Sequence, residues 1–94
     1  MSKYAWIIDE DHIEMNETPV SGPCDITPEF TARLLIKDHG QKFRMYDADG
    51  ELYYSGRIIG EYIGFEPLDD YGMPNAGCID IQLFNNKTRV WETL

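Results

Sequence analysis

The segment from Lys42 to Ile59 constrains the fold most, because a turn signal divides it into two arms with matching alternation. The turn Asp47-Ala48-Asp49-Gly50 ends in Asp-Gly, which readily adopts the positive φ that tight β-hairpins need. When Tyr46 is placed opposite Glu51, the alternation puts the large apolar side chains on one face. These are Phe43, Met45, Leu52 and Tyr54. The sequence therefore predicts a β-hairpin with one buried face.

The other face of this hairpin collects polar aromatic and cationic side chains without an obvious role in packing. They are Arg44, Tyr46, Tyr53 and Arg57. Tyrosine and arginine dominate the energetics of many protein interfaces, because they offer large, rigid contact areas with polar ends. We therefore interpret these four as candidate partner-binding residues. In the alternative interpretation, Arg44 stacks on Tyr53 across the two strands and the face meets water or a loop.

Two further segments have the composition of β-strands. The aromatic and β-branched run Tyr4–Ile8 predicts a first strand. The alternation over Cys78–Phe84 predicts a half-buried strand, and residues 88–93 would form its return arm. Together with the central hairpin, these segments predict a mostly antiparallel sheet.

The turn before the last strand has two alternatives. A two-residue turn at Asn85-Asn86 would place Ile81 opposite Val90. A three-residue turn that includes Lys87 would instead place Ile81 opposite Trp91. The alternation does not discriminate between them, so both registers stay open.

One helix is predicted, over Pro28–Asp38. Thr27 can cap it, Pro28 fits the first turn because its missing N–H is not needed there, and Gly40 is a suitable stop. Three glycines recur every fourth residue on the core side of the hairpin, where they let a helix approach or mark a bend. They are Gly56, Gly60 and Gly64. The predicted fold is α+β, a mostly antiparallel sheet of four to five strands with one helix packed on one face.

Two segments punctuated by proline and glycine, residues 9–25 and 66–77, are predicted to be exposed loops. Both lie in stretches that contain acidic residues and no Lys or Arg, whereas most basic residues lie between them. The run Asp9-Glu10-Asp11 with Glu14 has the ligands for a hard cation, but charge runs usually face water. We expect acidic and mixed regions on the surface rather than a uniform charge.

Composition limits the classes of function. A chain of 94 residues can close one modest core, so residues 1–94 are predicted to form a single domain. The net charge of −9 argues against direct binding of nucleic acid or of anionic membranes. The longest apolar run, Tyr4–Ile8, is too short for a membrane span or a signal-peptide core. With two cysteines and no disulfide framework, we expect a soluble cytoplasmic protein with reduced thiols.

The residues that could carry metal or catalytic chemistry do not form a recognised motif. The soft zinc ligands are His12, Cys24, His39 and Cys78. They lack the closely spaced pairs of structural zinc sites, and no catalytic signature surrounds either cysteine. Asp47-x-Asp49-Gly50 resembles the start of a calcium loop, but Ile58 stands where the bidentate Glu is required. We predict no cofactor and no metal, and we expect a non-enzymatic protein.

The leading functional prediction is a protein–protein interaction module that binds through the outer hairpin face and the neighbouring acidic loops. One version of it is an acidic decoy that places carboxylates where the phosphates of nucleic acid would lie. The alternative is a small-molecule-binding or catalytic domain whose pocket is formed by the 9–25 and 66–77 loops. In a third interpretation the aromatic face is the interface of a homodimer.

Overall fold

The computed structural model describes residues 3–13, 20–23 and 40–94. In these ranges the chain forms six strands: β1 (Tyr4–Asp11), β2 (Val20–Gly22), β3 (Gln41–Tyr46), β4 (Leu52–Gly60), β5 (Asp80–Asn85) and β6 (Val90–Thr93). A π-helical turn over Leu68–Gly72 leads directly into a short α-helix, α1 (Met73–Ala76).

All strand pairs are antiparallel, and their order in the single sheet is β2-β1-β4-β3-β5-β6. The predicted α+β fold with a mostly antiparallel sheet is confirmed. The predicted number of four to five strands is wrong, because a sixth strand, β2, forms inside the segment 9–25 that was assigned to a loop. The predicted helix Pro28–Asp38 lies outside the described residues.

The turn of the central hairpin forms where it was predicted. Gly50 has a φ of 79°, and its N–H donates to the Asp47 carbonyl at 3.1 Å. The Asp47 carboxylate accepts the N–H of Asp49 at 2.9 Å and that of Glu51 at 2.8 Å. Because Asp47 pairs with Glu51 across a three-residue loop, Tyr46 lies opposite Leu52 rather than opposite Glu51.

A β-bulge then changes the register of the hairpin a second time. Between Met45 and Tyr46 the pairing shifts, so that β4 carries one extra residue, Tyr53, and Met45 lies opposite Tyr54. A shift by one residue moves a side chain to the other face of a sheet, and a second shift moves the following side chains back. Phe43, Met45 and Tyr54 are therefore buried as predicted. Leu52 was predicted on the buried face but lies half-buried on the opposite one.

The hydrophobic core lies on one face of the sheet, under residues 66–78. It consists of Trp6, Ile8, Phe43, Met45, Tyr54, Ile58, Leu68, Cys78, Ile81 and Leu83. Leu68 and Cys78 come from the covering segment, residues 66–78, which also contains the π-helical turn and α1. The prediction that residues 66–77 form an exposed loop is thus wrong, because this segment packs on the core.

Hydrogen bonds of polar side chains hold the covering segment on the sheet. The Glu66 carboxylate accepts the N–H groups of Ile63 and Gly64 at 2.8 and 2.7 Å, and so closes the tight turn that follows β4. The Asn75 amide donates to the Tyr54 hydroxyl at 2.8 Å. Gly72 lies so close to the sheet that a Cβ would come within 2.6 Å of the Met45 sulfur. The turn-forming residues of this segment therefore allow close packing on the core.

Glycines also redirect the chain between β4 and the covering segment. Gly60 and Gly64 have φ values of 105° and 132°, which side chains with a Cβ rarely adopt. Both lie at or just beyond the end of β4, so the predicted bend is confirmed at these two positions.

The last hairpin adopts neither of the two predicted registers. Asn85 pairs with Val90 across the four-residue loop 86–89, and Phe84 lies opposite Trp91. The Asn85 side-chain oxygen accepts the N–H groups of Lys87 and Thr88, at 2.9 and 3.1 Å, which stabilises the longer loop. The longer loop places Trp91 opposite Phe84, on the sheet face away from the core.

The carboxylate of Asp47 gives the hairpin a stability that depends on pH. The N–H of Glu51 and the hydroxyl of Tyr53 hold the pKa of Asp47 below its ordinary value of 3.8. A depressed pKa contributes stability that is complete above 3.8 and is lost as pH falls through the folded-state value. We expect Asp47→Ala to lower the free energy of unfolding at neutral pH, with a difference from the wild type that narrows under acidic conditions.

Urea unfolding of the wild type and Asp47→Ala at about pH 7 and about pH 3 checks this expectation. Asp49→Ala is the matched control, since its carboxylate is two residues away and accepts no hydrogen bond from the described residues. A difference between Asp47→Ala and the wild type that is the same at both pH values would contradict the assignment.

Candidate functional site

The sheet face opposite the core, here called the outer face, is organised around a contact between Arg44 and Trp91. The Arg44 guanidinium carbon lies 3.9 Å from the centroid of the Trp91 ring. Arg44 is on β3 and Trp91 on β6, so this contact spans the intervening strand β5. Phe84 supports the indole from β5 in an edge-to-face arrangement, with ring centroids 5.2 Å apart. Stacking of this kind restricts both side chains to one orientation.

A chain of side-chain hydrogen bonds runs beside this contact. The Tyr46 hydroxyl donates to the Gln82 side-chain oxygen at 3.1 Å. The Gln82 amide nitrogen donates to the Thr93 hydroxyl at 3.2 Å. These bonds connect β3, β5 and β6 on the outer face, so its polar side chains are held in place by one another.

A concave space of about 310 Å³, here called the outer groove, crosses this face from β1 to β6. Its basic lining residues are Lys42, Arg44 and Arg57, and its acidic ones are Asp9 and Glu10. His12, Leu52, Ser55 and Trp91 also line it. The groove thus combines a basic centre with an acidic end on β1 and an aromatic end on β6.

The acidic end is shaped by an irregularity in β1. The pairing with β4 shifts between Ile8 and Glu10, which leaves Asp9 as an extra, bulged residue. The Asp9 carboxylate lies 4.0 Å from the Arg57 Nε. Burial raises the pKa of Asp9, and the Arg57 charge only partly opposes this effect. Asp9 is therefore a partly desolvated carboxylate beside the basic centre.

His12 closes the same end of the groove. Its Nε2 lies 3.0 Å from the Ser55 hydroxyl and 3.3 Å from a Glu10 carboxylate oxygen. These contacts hold the imidazole against β4, just after the end of β1.

The basic centre contains a close pair of like charges. Lys42 and Arg57 lie directly opposite each other on β3 and β4. Like charges in this arrangement destabilise a sheet unless an anion lies nearby. The Asp9 carboxylate provides such an anion: it attracts both Arg57 and Lys42, although no described carboxylate lies within ion-pair distance of the Lys42 ammonium group. The other described basic residues, Lys3, Lys87 and Arg89, do not line the groove.

The structure places three of the four predicted partner-binding residues on the outer face. Arg44, Tyr46 and Arg57 lie there, but Tyr53 does not. As the bulged residue, Tyr53 packs against the core cluster, and its pKa is raised by a hydrogen bond to the Asp47 carboxylate. The predicted contact between Arg44 and Tyr53 is thus wrong. Arg44 lies opposite Ser55 and stacks on Trp91 instead.

Three residues that line the outer groove were not predicted from the sequence: Trp91, Leu52 and His12. Trp91 was missed because the sequence left the strand order open, so nothing placed β6 near Arg44, and because the four-residue loop moves Trp91 along the strand to lie opposite Phe84. An asparagine at position 85 with four polar residues after it is a signal for a longer capped loop. Leu52 reaches this face because the loop after Asp47 has three residues and places Leu52 opposite Tyr46.

A second concave space lies between β2 and the π-helical turn, and is here called the loop pocket. Its volume is also about 310 Å³, and its lining residues are Trp6, Val20, Ser21, Gly22, Pro23, Asp70 and Tyr71. The Asp70 carboxylate accepts hydrogen bonds from the Tyr4 hydroxyl at 2.6 Å and from the Trp6 indole at 3.0 Å. The rings of Trp6 and Tyr71 lie 5.5 Å apart.

The metal-ligating and thiol side chains of the described residues are dispersed or buried. Among them, no three His, Cys, Asp or Glu side chains are grouped so that they could hold a metal ion. Cys78 is buried, and this burial raises its pKa to about 11, so at neutral pH it is a protonated thiol rather than a nucleophilic thiolate. Cys24 and His39 lie outside the described residues.

Comparisons with known proteins find no family model, curated protein or solved structure that matches this chain. In the described part of the chain, no helix is long and apolar enough to cross a membrane. The candidate site is therefore inferred from the geometry of this chain alone.

The contact between Arg44 and Trp91 can be measured with a double-mutant cycle. We expect Arg44→Ala and Trp91→Ala to show a coupling of about 0.5–1 kcal/mol in the free energy of unfolding, the usual range for an accessible cation–π pair. Chemical denaturation of the four proteins gives this value. The matched cycle of Lys87→Ala with Trp91→Ala should show a coupling near zero. A coupling near zero in the Arg44 cycle as well would contradict the contact.

Proposed function

We propose that this protein is a non-enzymatic binding module that docks another protein through its outer face. The observation that carries the proposal is the contact of Arg44 with Trp91 at one end of the outer groove. Arginine and tryptophan are the residue types most enriched where interfaces gain their energy. Here each one holds the other, so little side-chain entropy remains to be lost when a partner binds.

The remaining residues of the outer face fit the same function. Tyr46 and Gln82 present hydrogen-bonding groups already fixed by their mutual contact. Polar groups that are preorganised in this way can add specificity at a small cost in ordering. The acidic side chains of the covering segment are instead partly engaged within the protein, since Glu66 and Asp70 accept internal hydrogen bonds. This difference favours the outer face over the covering segment as the docking surface.

The test uses the tagged chain as bait in an extract of its source cells, followed by a titration with each purified partner that the bait retains. We expect Trp91→Ala to weaken the affinity of the partner at least about tenfold, because the variant removes an interface aromatic and releases Arg44. Lys87→Ala is the matched control, since Lys87 is exposed and does not line the groove.

Each outcome of this experiment has a clear meaning. A partner that binds Trp91→Ala and Lys87→Ala equally well would remove the outer face from consideration. Loss of binding with added salt, together with competition by DNA, would favour the acidic-decoy version. Sedimentation of the bait alone shows whether the outer face instead joins two copies of this chain.

A second candidate function is the binding of a small molecule in the loop pocket. Its position favours it, since this pocket lies between parts of the same two segments, 9–25 and 66–77, that the sequence indicated. Aromatic walls with the Asp70 carboxylate beside them suit an aromatic molecule that carries an ammonium group. In this function the outer face would have no role in binding.

Benzylamine is a suitable probe for the loop pocket. We expect a saturable shift of the Trp6 indole N–H signal in NMR titrations, because this group donates to Asp70 at the pocket wall. Trp91→Phe leaves Trp6 as the single tryptophan and simplifies the assignment. Benzyl alcohol, which has the same ring without the charge, is the control. The absence of a saturable shift with benzylamine would count against this pocket as a ligand site.

A further inference from the structure

We propose that the outer groove accepts an acidic side chain of the partner protein, with its carboxylate bound between Arg44 and Lys42. This inference rests on the proposed function, because it names the chemistry that the docking surface recognises. It goes beyond that function by committing to one kind of occupant.

The state of Arg44 favours a carboxylate ligand. Its guanidinium is half-buried and stacked on Trp91, and it makes no hydrogen bond or ion pair with the other described residues. Stacking uses the face of the guanidinium and leaves the N–H groups at its edge free to donate. The edge of a guanidinium has the geometry to bind both oxygens of one carboxylate. Arg44 is therefore oriented for a carboxylate that the described residues do not supply.

Two further basic side chains lie beside Arg44 in the groove. Lys42 and Arg57 face each other across two strands, an arrangement that costs stability unless an anion lies nearby. The Asp9 carboxylate lies 4.0 Å from the Arg57 Nε and so compensates part of this positive charge. Lys42 is exposed, and Asp9 attracts it as well, but no described carboxylate lies within ion-pair distance of its ammonium group. A carboxylate between Lys42 and Arg44 would give both side chains a direct ion-pair partner.

The charges of the groove suit a carboxylate carried by a protein segment better than a free small anion. Asp9 and Glu10 line the other end of the groove and would repel a compact ion with several charges, such as phosphate. An extended segment can instead place one carboxylate at Arg44 and direct neutral N–H donors toward Asp9 and Glu10. Leu52, half-buried on the groove wall, offers apolar contact to the aliphatic part of a Glu side chain.

The net charge of the chain limits the segment further. At −9, the protein as a whole repels acidic partners over the range of the screened field. The segment that suits the groove best therefore carries a single acidic side chain among neutral ones. For a uniformly acidic peptide, electrostatic repulsion from the rest of the protein would outweigh the attraction at Arg44.

The experiment uses blocked seven-residue peptides of alternating serine and alanine whose central residue is Glu, Gln or Lys. NMR titration of the isotope-labelled protein follows the Arg44 side-chain N–H and the Trp91 indole N–H. We expect saturable shifts with the Glu peptide and binding at least about tenfold weaker with the Gln and Lys peptides. Arg44→Gln and Lys42→Gln should each weaken the Glu peptide, and Lys87→Gln should not.

Free anions are the second arm of the experiment. Acetate and inorganic phosphate should both bind more weakly than the Glu peptide, since neither contacts the rest of the groove. No saturable shift with the Glu peptide up to about 10 mM, or equal binding of the Glu and Gln peptides, would overturn the inference. Phosphate binding tighter than the Glu peptide would overturn it in favour of a small-anion site.

The two proposals can fail separately. A partner that loses affinity with Trp91→Ala but not with Arg44→Gln or Lys42→Gln would leave the docking function standing and overturn the acidic occupant. The NMR spectra of the variants also show whether each one keeps the native fold, so a loss of binding cannot be confused with unfolding.

Discussion

The irregular register of the central hairpin is the constraint on which both faces of the sheet depend. The three-residue loop after Asp47 shifts the pairing by one residue, and the bulge at Tyr53 shifts it by one more. From Tyr54 onward the two shifts together return the side chains of β4 to their predicted faces, so the core is preserved. Leu52 precedes the bulge and experiences only the first shift, so it lies on the other face. Without the bulge, Tyr54 would leave the core and the basic centre on the other face would be lost.

The acidic residues of this chain serve more than one purpose. Glu66 closes the turn after β4, Asp70 binds two aromatic side chains, and Asp47 organises the hairpin. Carboxylates suit these positions because charged acceptors form stronger hydrogen bonds than neutral ones. The high net negative charge is therefore partly a consequence of how a small domain stabilises its turns, and these carboxylates still contribute to the surface field.

The sequence was sufficient to predict elements whose signals are local. Asp-Gly at residues 49 and 50 placed the hairpin turn, and alternation identified Phe43 and Met45 as buried. Prediction failed where a side chain acts on distant backbone or where two elements compete for one surface. Proline and glycine in residues 66–77 resemble an exposed loop, yet the same residues let this segment lie close against Met45.

The candidate site was predicted in part for the same reason. Arg44, Tyr46 and Arg57 share a face by alternation alone, so the pattern of the hairpin was enough to group them. Trp91 comes from a strand that is distant in sequence, and its position depends on the hydrogen bonds of the Asn85 side chain. Tyr53 was assigned to the wrong side because a bulge is stabilised by tertiary contacts, here with Asp47 and the core.

The location of Trp91 makes the groove sensitive to local fraying. β6 is four residues long, and in the described part of the chain β5 is its one neighbour in the sheet. Short terminal strands open more readily than the strands at the centre of a sheet. Opening of β6 would separate the indole from Arg44. Under the proposed function, a partner that holds β6 in place would therefore also stiffen that edge of the sheet.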